Sequence, residues 1–445
     1  MTLAPRTLGP QQPDVTPPPP APLPVARDGI TLWRVAFVVL MLCFWEGFPF
    51  SVIGLPDVMG NQLYALLCLA GLGLYIVRLV ATNRPPNFWD VIPVAFFLWC
   101  IVASARYSTQ VAPQPLGAWL PAVFTVAPLL TILLYKTLGI TRRDAEGGLF
   151  WAGLLGSLLV IADVTLGLHF LDHYARGSAF GEGRVVFLKL PATFGLMVAL
   201  MRLIEFDLRR VPLHLLGVAA MGYNTIVLSE SRLVIAALLL ALIPVAILVL
   251  RGARRIVITV VGPLLLIPIV LFVIQRYLAN FADLSSYLAN DVSATFRRYE
   301  SEFFNRYFMT TDGMGFGFMS GDPQYNNVLT YAAGSASEEF GKQYANYPIG
   351  LVDTGLISAL YQFGWPGLFF VVAMTLIAAV ALIASRRQGS EYATTAALGW
   401  LMIASMVSPI SFNFFTLFYS AHIGTLLWFL ASEASTRPPQ PGAEG

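Results

Sequence analysis

Residues 291–321 read DVSATFRRYESEFFNRYFMTTDGMGFGFMSG. This run carries Arg297, Arg298, Glu300, Glu302, Arg306 and Asp312, followed by glycines at 313, 315, 317 and 321. It lies inside a polar, aromatic and charged interval, Gln275 to Gly350, of a chain that is otherwise nearly continuous apolar helix from Thr31 to Leu430. A pure transporter rarely places so large an insert at one point of a bundle. A membrane enzyme acting on a lipid-linked substrate has a use for one, because the polar end of that substrate must be held just outside the bilayer.

Outward from this interval the composition sets the class. The chain is 57% hydrophobic and 12% charged, against about 25% charged in a soluble domain. Its apolar runs reach span length, and inside a bilayer each backbone donor and acceptor must be satisfied within its own segment, which selects helices. The expected fold is an all-α integral membrane protein of about twelve spans with one long extracytoplasmic loop between spans nine and ten. The spans are placed at 31–53, 61–80, 89–105, 115–138, 146–167, 185–204, 212–229, 232–250, 255–276, 351–384, 392–409 and 413–431. The tenth is too long for one crossing. It is read as a short helix, a break near Gly364-Trp365-Pro366-Gly367 and then the true span.

The organisation follows: a tail at 1–30, spans one to nine within 31–276, the loop at 277–350, spans ten to twelve within 351–431 and a second tail at 432–445. The first tail holds nine prolines and no apolar core of a signal peptide, so it is read as disordered and uncleaved. Cys43, Cys68 and Cys100 each fall in an apolar run without metal-ligand spacing and are read as small core residues.

With both termini in the cytoplasm, 17 of the 27 basic residues lie inside, including Arg78 and Arg84, Lys136, Arg142 and Arg143, Arg202, Arg209 and Arg210, and Arg386 and Arg387. Each inner connection is then basic, as the positive-inside rule requires. The long loop falls on the outer side, and the expected location is a bacterial inner membrane.

Four groups gather on that outer side. The loop before the sixth span, HFLDHYARGSAFGEGRVVFLKLPATFG, offers Arg176, Arg184 and Lys189 beside small residues. The turn between spans seven and eight is Ser229-Glu230-Ser231-Arg232, whose arginine enters an apolar helix. The long loop supplies Arg297 and Arg298, and Asp353 opens the run DTGLISALYQFGWPG. Arginines at a bilayer edge suit a diphosphate, because guanidinium stays charged and grips oxyanions in pairs. A carboxylate in the same cavity suits proton removal from an attacking hydroxyl.

Plainer readings stand beside these. Arg232 at a helix end can snorkel. Arg297 and Arg298 can form a solvated face with Glu300 and Glu302. Arg184 and Lys189 can meet lipid headgroups, and Asp353 can cap a helix. The glycines read as a turn sooner than as a phosphate cradle. His169 and His173 lack a third zinc ligand. Glu46 and Asp163 fall within spans, where an ionisable residue is a functional candidate by default.

SESRLVIAALLLALI, RRYESEFFNRYFMTTDGMGFG, DTGLISALYQFGWPGLFF and, more weakly, GRVVFLKLPATFG, which precedes them in the chain, resemble segments of the O-antigen ligase and polysaccharide polymerase family. The likeness covers residues 150 to 375. It implies a metal-independent, inverting glycosyltransferase with no cofactor, whose donor is a polyprenyl-diphosphate-linked oligosaccharide. Arg184, Arg232 and Arg298 would hold diphosphate or glycan, with Arg297, Lys189 and Glu230 as neighbouring substrate contacts. Asp353 would take the base or orienting role. Ligases of the family pass glycan to the lipid A core, and polymerases pass a growing chain to the next repeat unit. Asp353 stands where the family usually carries His, which turns the reading from ligase to polymerase of exopolysaccharide or O-antigen units. A chain-length regulator and export machinery are the implied partners, and no nucleic acid. A ligase, or a flippase without chemistry, remains as the alternative.

Overall fold

The computed structural model describes residues 31–45, 50, 55, 58–83, 85–111, 113–168, 188–204, 210–228, 238, 241, 308, 311–318, 356–385, 393–407, 424, 425, 427–429 and 431. All regular structure among them is helical. In chain order the helices are α1 (Leu32–Trp45), α2 (Val58–Thr82), α3 (Phe88–Arg106), α4 (Leu116–Val123), α5 (Thr131–Leu138), α6 (Arg142–Leu166), α7 (Lys189–Ile204), α8 (Val211–Gly222), α9 (Leu356–Ser385) and α10 (Ala393–Val407). Helix α6 packs against α1, α7 and α8, α2 against α5, and α9 against α3 and α10.

Four segments are long and apolar enough to cross a bilayer: Met59–Thr82, Phe88–Gln110, Arg142–Leu166 and Val211–Leu228. Their outward faces are apolar. On α9 the exposed residues Trp365, Phe369, Val372, Leu376, Val380 and Ile383 repeat at helical spacing and form one stripe. A helix exposing large apolar side chains along its length suits hydrocarbon, not water, and these segments mark a membrane protein. The tightest packing is between α6 and α7. A Cβ at Gly153 would lie 2.5 Å from the Pro191 carbonyl oxygen, and one at Gly195 2.8 Å from that of Leu149. Small residues here let two backbones touch, the usual source of helix association in lipid.

Two expected spans differ in form. The range 115–138, read as one helix, is α4, then a tight 3-10 stretch Phe124–Leu130, then α5. Pro121 and Pro128 account for this, since each removes a backbone donor and crowds the preceding turn. The tenth span breaks at Gly364, whose φ of 69° and ψ of −168° are not helical. From Trp365 to Ser385 the chain then rises about 30 Å, the thickness of a bilayer core. Spans 232–250, 255–276 and 413–431 lie outside the described residues apart from isolated helical positions, as does most of the long loop.

The helices alternate in direction between two faces. On the first face meet the starts of α1, α3 and α6 and the ends of α2, α5 and α7. Asp144 accepts from the Thr31 backbone at 2.8 Å, lies 3.7 Å from Arg34, and closes a reciprocal cap with Thr141 at the start of α6. Glu146 pairs with Arg142 at 2.8 Å and with Arg202 of α7. Asp90 accepts from Lys136 of α5 and Tyr75 of α2. Helix α3 runs from Asp90 on this face to Arg106, about 24 Å away on the second.

Candidate functional site

On the second face Thr311–Phe318, the glycine-rich end of the quoted stretch, is seated between the last turns of α3 and the break in α9. The break explains the seating. A helix ending at Gly364 leaves the carbonyls of its last turn without partners, and unpaired backbone at membrane depth is costly. Each finds a donor. The Tyr361 carbonyl accepts from Phe316 N at 3.2 Å and the Gln362 carbonyl from Gly317 N at 2.5 Å. The Phe363 carbonyl accepts from Trp99 Nε1 of α3 at 2.8 Å. In return Trp365 N, opening the next helix, donates to the Gly313 carbonyl at 2.9 Å. The segment acts as a short strap whose backbone completes the hydrogen bonding of a broken span.

Glycine is needed for the approach. Gly313, Gly315 and Gly317 have φ of 74°, 78° and 62°, in the left-handed region. A Cβ at Gly315 would sit 2.5 Å from the Gln362 carbonyl oxygen, and one at Gly317 would strike the Ser104 backbone. The turn expected from these glycines is present; backbone atoms lie closest to Gly315 and Gly317, and the Trp365 ring closest to Gly313.

Helix α3 holds the strap from the other side. Ser104 Oγ donates to the Cys100 carbonyl at 2.6 Å and accepts from Phe318 N at 2.8 Å. Arg106 donates to the Thr311 carbonyl at 2.8 Å and to the Asp312 carboxylate at 3.0 Å. Thr311 is fully buried; its hydroxyl donates to the Phe308 carbonyl at 2.8 Å and accepts from Gly315 N at 3.2 Å. Phe308 packs edge-on to Tyr361 and Trp365, and Phe316 to Tyr107. Asp312 is largely exposed at a φ of 52°, and Trp365, whose ring lies against Gly313, is also exposed.

A second polar group lies toward the same face. Asn224, fully buried in a widened π turn after α8, donates to Ser157 Oγ of α6 at 3.3 Å, and buried Thr225 follows it. Such turns recur at functional sites, and this one, Tyr223–Leu228, ends immediately before Ser229-Glu230-Ser231-Arg232. Asp163, singled out as a charge within a span, is buried near the second-face end of α6.

Of the site residues expected from sequence, Asp353, Arg298, Arg232, Arg184, Arg297 and Glu230 lie outside the described residues. Lys189 is the first residue of α7, placed by its backbone alone. Glu46, His169 and His173 also lie outside. Cys68 and Cys100 are buried, in keeping with a core role. Among the described residues, no three His, Cys, Asp or Glu side chains form a group able to hold a metal.

Sequence reasoning missed the buried acids of the first face and the grip of Arg106. The first had a signal: Thr141-Arg142-Arg143-Asp144-Ala145-Glu146 is a capping pattern with an Arg and a Glu four apart. The second had none, because Arg106 and Asp312 are 206 residues apart.

No protein-family model matches the chain, and a search of curated proteins finds no match.

Proposed function

We propose that this protein is a membrane glycosyltransferase that polymerises lipid-linked polysaccharide repeat units, passing a polyprenyl-diphosphate-linked glycan to the next unit. The first face, rich in arginine, is then cytoplasmic, and the strap face looks outward with the rest of the polar interval. The supporting observation is the seating of Thr311–Phe318 on the break in α9. It joins the ends of two segments that carry the resemblance, one containing Arg298 and the other Asp353.

In this reading Arg298, Arg232 and Arg184 neutralise the diphosphate as it leaves, with Lys189, Arg297 and Glu230 contacting substrate. Asp353 takes the proton of the acceptor hydroxyl. The new glycosidic bond forms as the bond to the diphosphate breaks, and the lipid diphosphate departs with the electron pair.

The test is purified protein with a synthetic diphospholipid-linked repeat unit, with and without a chelator. Products several units long are expected in both. Transfer only to another acceptor means a ligase, and no bond formation with bilayer translocation means a flippase. In the same assay Arg298→Ala and Arg232→Ala each lose on the order of a hundredfold in rate. Asp353→Asn, which still caps a helix, loses most transfer if the carboxylate is the base. An Asn protein at full rate removes Asp353 from that role.

A further inference from the structure

Both segments tied at the second face lead back, along the chain, to residues the proposed reaction uses. Arg298 precedes Thr311 by thirteen residues, and Asp353 precedes Gly364 by eleven. The two segments are joined at their described ends, Thr311–Phe318 and Gly364–Trp365. The join has two parts. Backbone hydrogen bonds tie the strap to the break in α9, and the side chains of Ser104 and Arg106 tie it to α3. Helix α3 is a fixed reference, because Lys136 and Tyr75 hold its other end through Asp90.

We propose that Arg106 is a positioning residue for glycosyl transfer: by gripping the Thr311 carbonyl and the Asp312 carboxylate it sets the polar loop in register with the helix that follows Asp353. The inference rests on the glycosyltransferase reading. Arg106 is itself a cation on the outer side, so a direct grip on diphosphate is the competing role. Geometry favours positioning. Its two terminal nitrogens donate to the strap, at 2.8 and 3.0 Å, and its side chain is three-quarters buried. Lysine would keep the charge but not this fork, since one ammonium on a flexible stem cannot match the planar pair of donors.

The experiment compares wild type, Arg106→Lys, Asp312→Asn and the double variant in two measurements. Hydrogen exchange of the Phe316, Gly317, Phe318 and Trp365 amides reads the join without reference to activity. Steady-state transfer on the synthetic diphospholipid reads its consequence. Each single variant is expected to speed exchange at these amides. Each lowers kcat on the order of tenfold with donor KM little changed, as slight misplacement of reacting groups does. The double variant is no slower than either single one, because both remove one link. A raised KM in Arg106→Lys beside a silent Asp312→Asn would make Arg106 a donor contact and overturn the proposal. Faster exchange at an unchanged kcat would leave a staple without a positioning role, and unchanged exchange in both singles would deny the join. If wild type forms no glycosidic bond, the glycosyltransferase reading fails, while the exchange data still report whether Arg106 holds the strap.

Discussion

The two faces of the bundle are held by different chemistry. On the first, buried carboxylates meet cations from neighbouring helices: Asp144 with Arg34, Glu146 with Arg142 and Arg202, Asp90 with Lys136. On the second, the broken end of α9 is completed by the backbone of a glycine-rich strap, and one ion pair, Arg106 with Asp312, lies at its exposed edge. The difference follows from what each face must do. Helix ends that only need fixing can be tied by charges brought in from solvent. A break inside a span must satisfy several carbonyls at once, and a closely seated backbone does this without burying further charge.

Three substitutions test this contrast, in decreasing order of expected effect. Gly317→Ala is expected to be the most damaging. Its methyl strikes the Ser104 backbone and its φ lies in the left-handed region. The cost is on the order of 3 kcal/mol or more, read as a large fall in melting temperature in detergent. A melting temperature like wild type would mean that the strap is not seated as described.

Glu146→Ala comes next. It removes the buried carboxylate that Arg142 and Arg202 share, but both arginines remain partly exposed and can recover water. A loss of about 2 kcal/mol is expected, less than the full cost of breaking a wholly buried pair. Losses as large as those of Gly317→Ala would make the two faces equally demanding.

Trp99→Phe removes only the donor to the Phe363 carbonyl and keeps the ring. The expected loss is about 1 kcal/mol, that of one hydrogen bond. Unlike the loss in Glu146→Ala, it should hardly change when the melt is repeated at high salt, because screening weakens charge pairs and leaves neutral hydrogen bonds nearly untouched. An equal salt response in both variants would erase the distinction between the faces.

How much of this was legible in the chain varies by element. The apolar runs at 61–80, 89–105, 146–167 and 212–229 correspond to α2, α3, α6 and the α8 segment, because span length and apolarity are local properties. The break at Gly364 was also visible, since Gly-Trp-Pro-Gly cannot continue a helix. The single helix expected at 115–138 was not found, because Pro121 and Pro128 outweigh an apolar pattern that a helix and a 3-10 stretch share. At the candidate site the sequence singled out the glycines as a turn, but not what the turn is for.

The membrane class, the positions of the long apolar helices and the place of the polar interval can be read from the chain alone. Each follows from the character of consecutive residues in a bilayer. Helix packing sets which carbonyls the strap completes, that Arg106 meets Asp312, and that Asp90, Asp144 and Glu146 are paired where they are buried. Hydrogen bonds and ion pairs between distant segments depend on how helices pack, and no local pattern encodes a partner two hundred residues away.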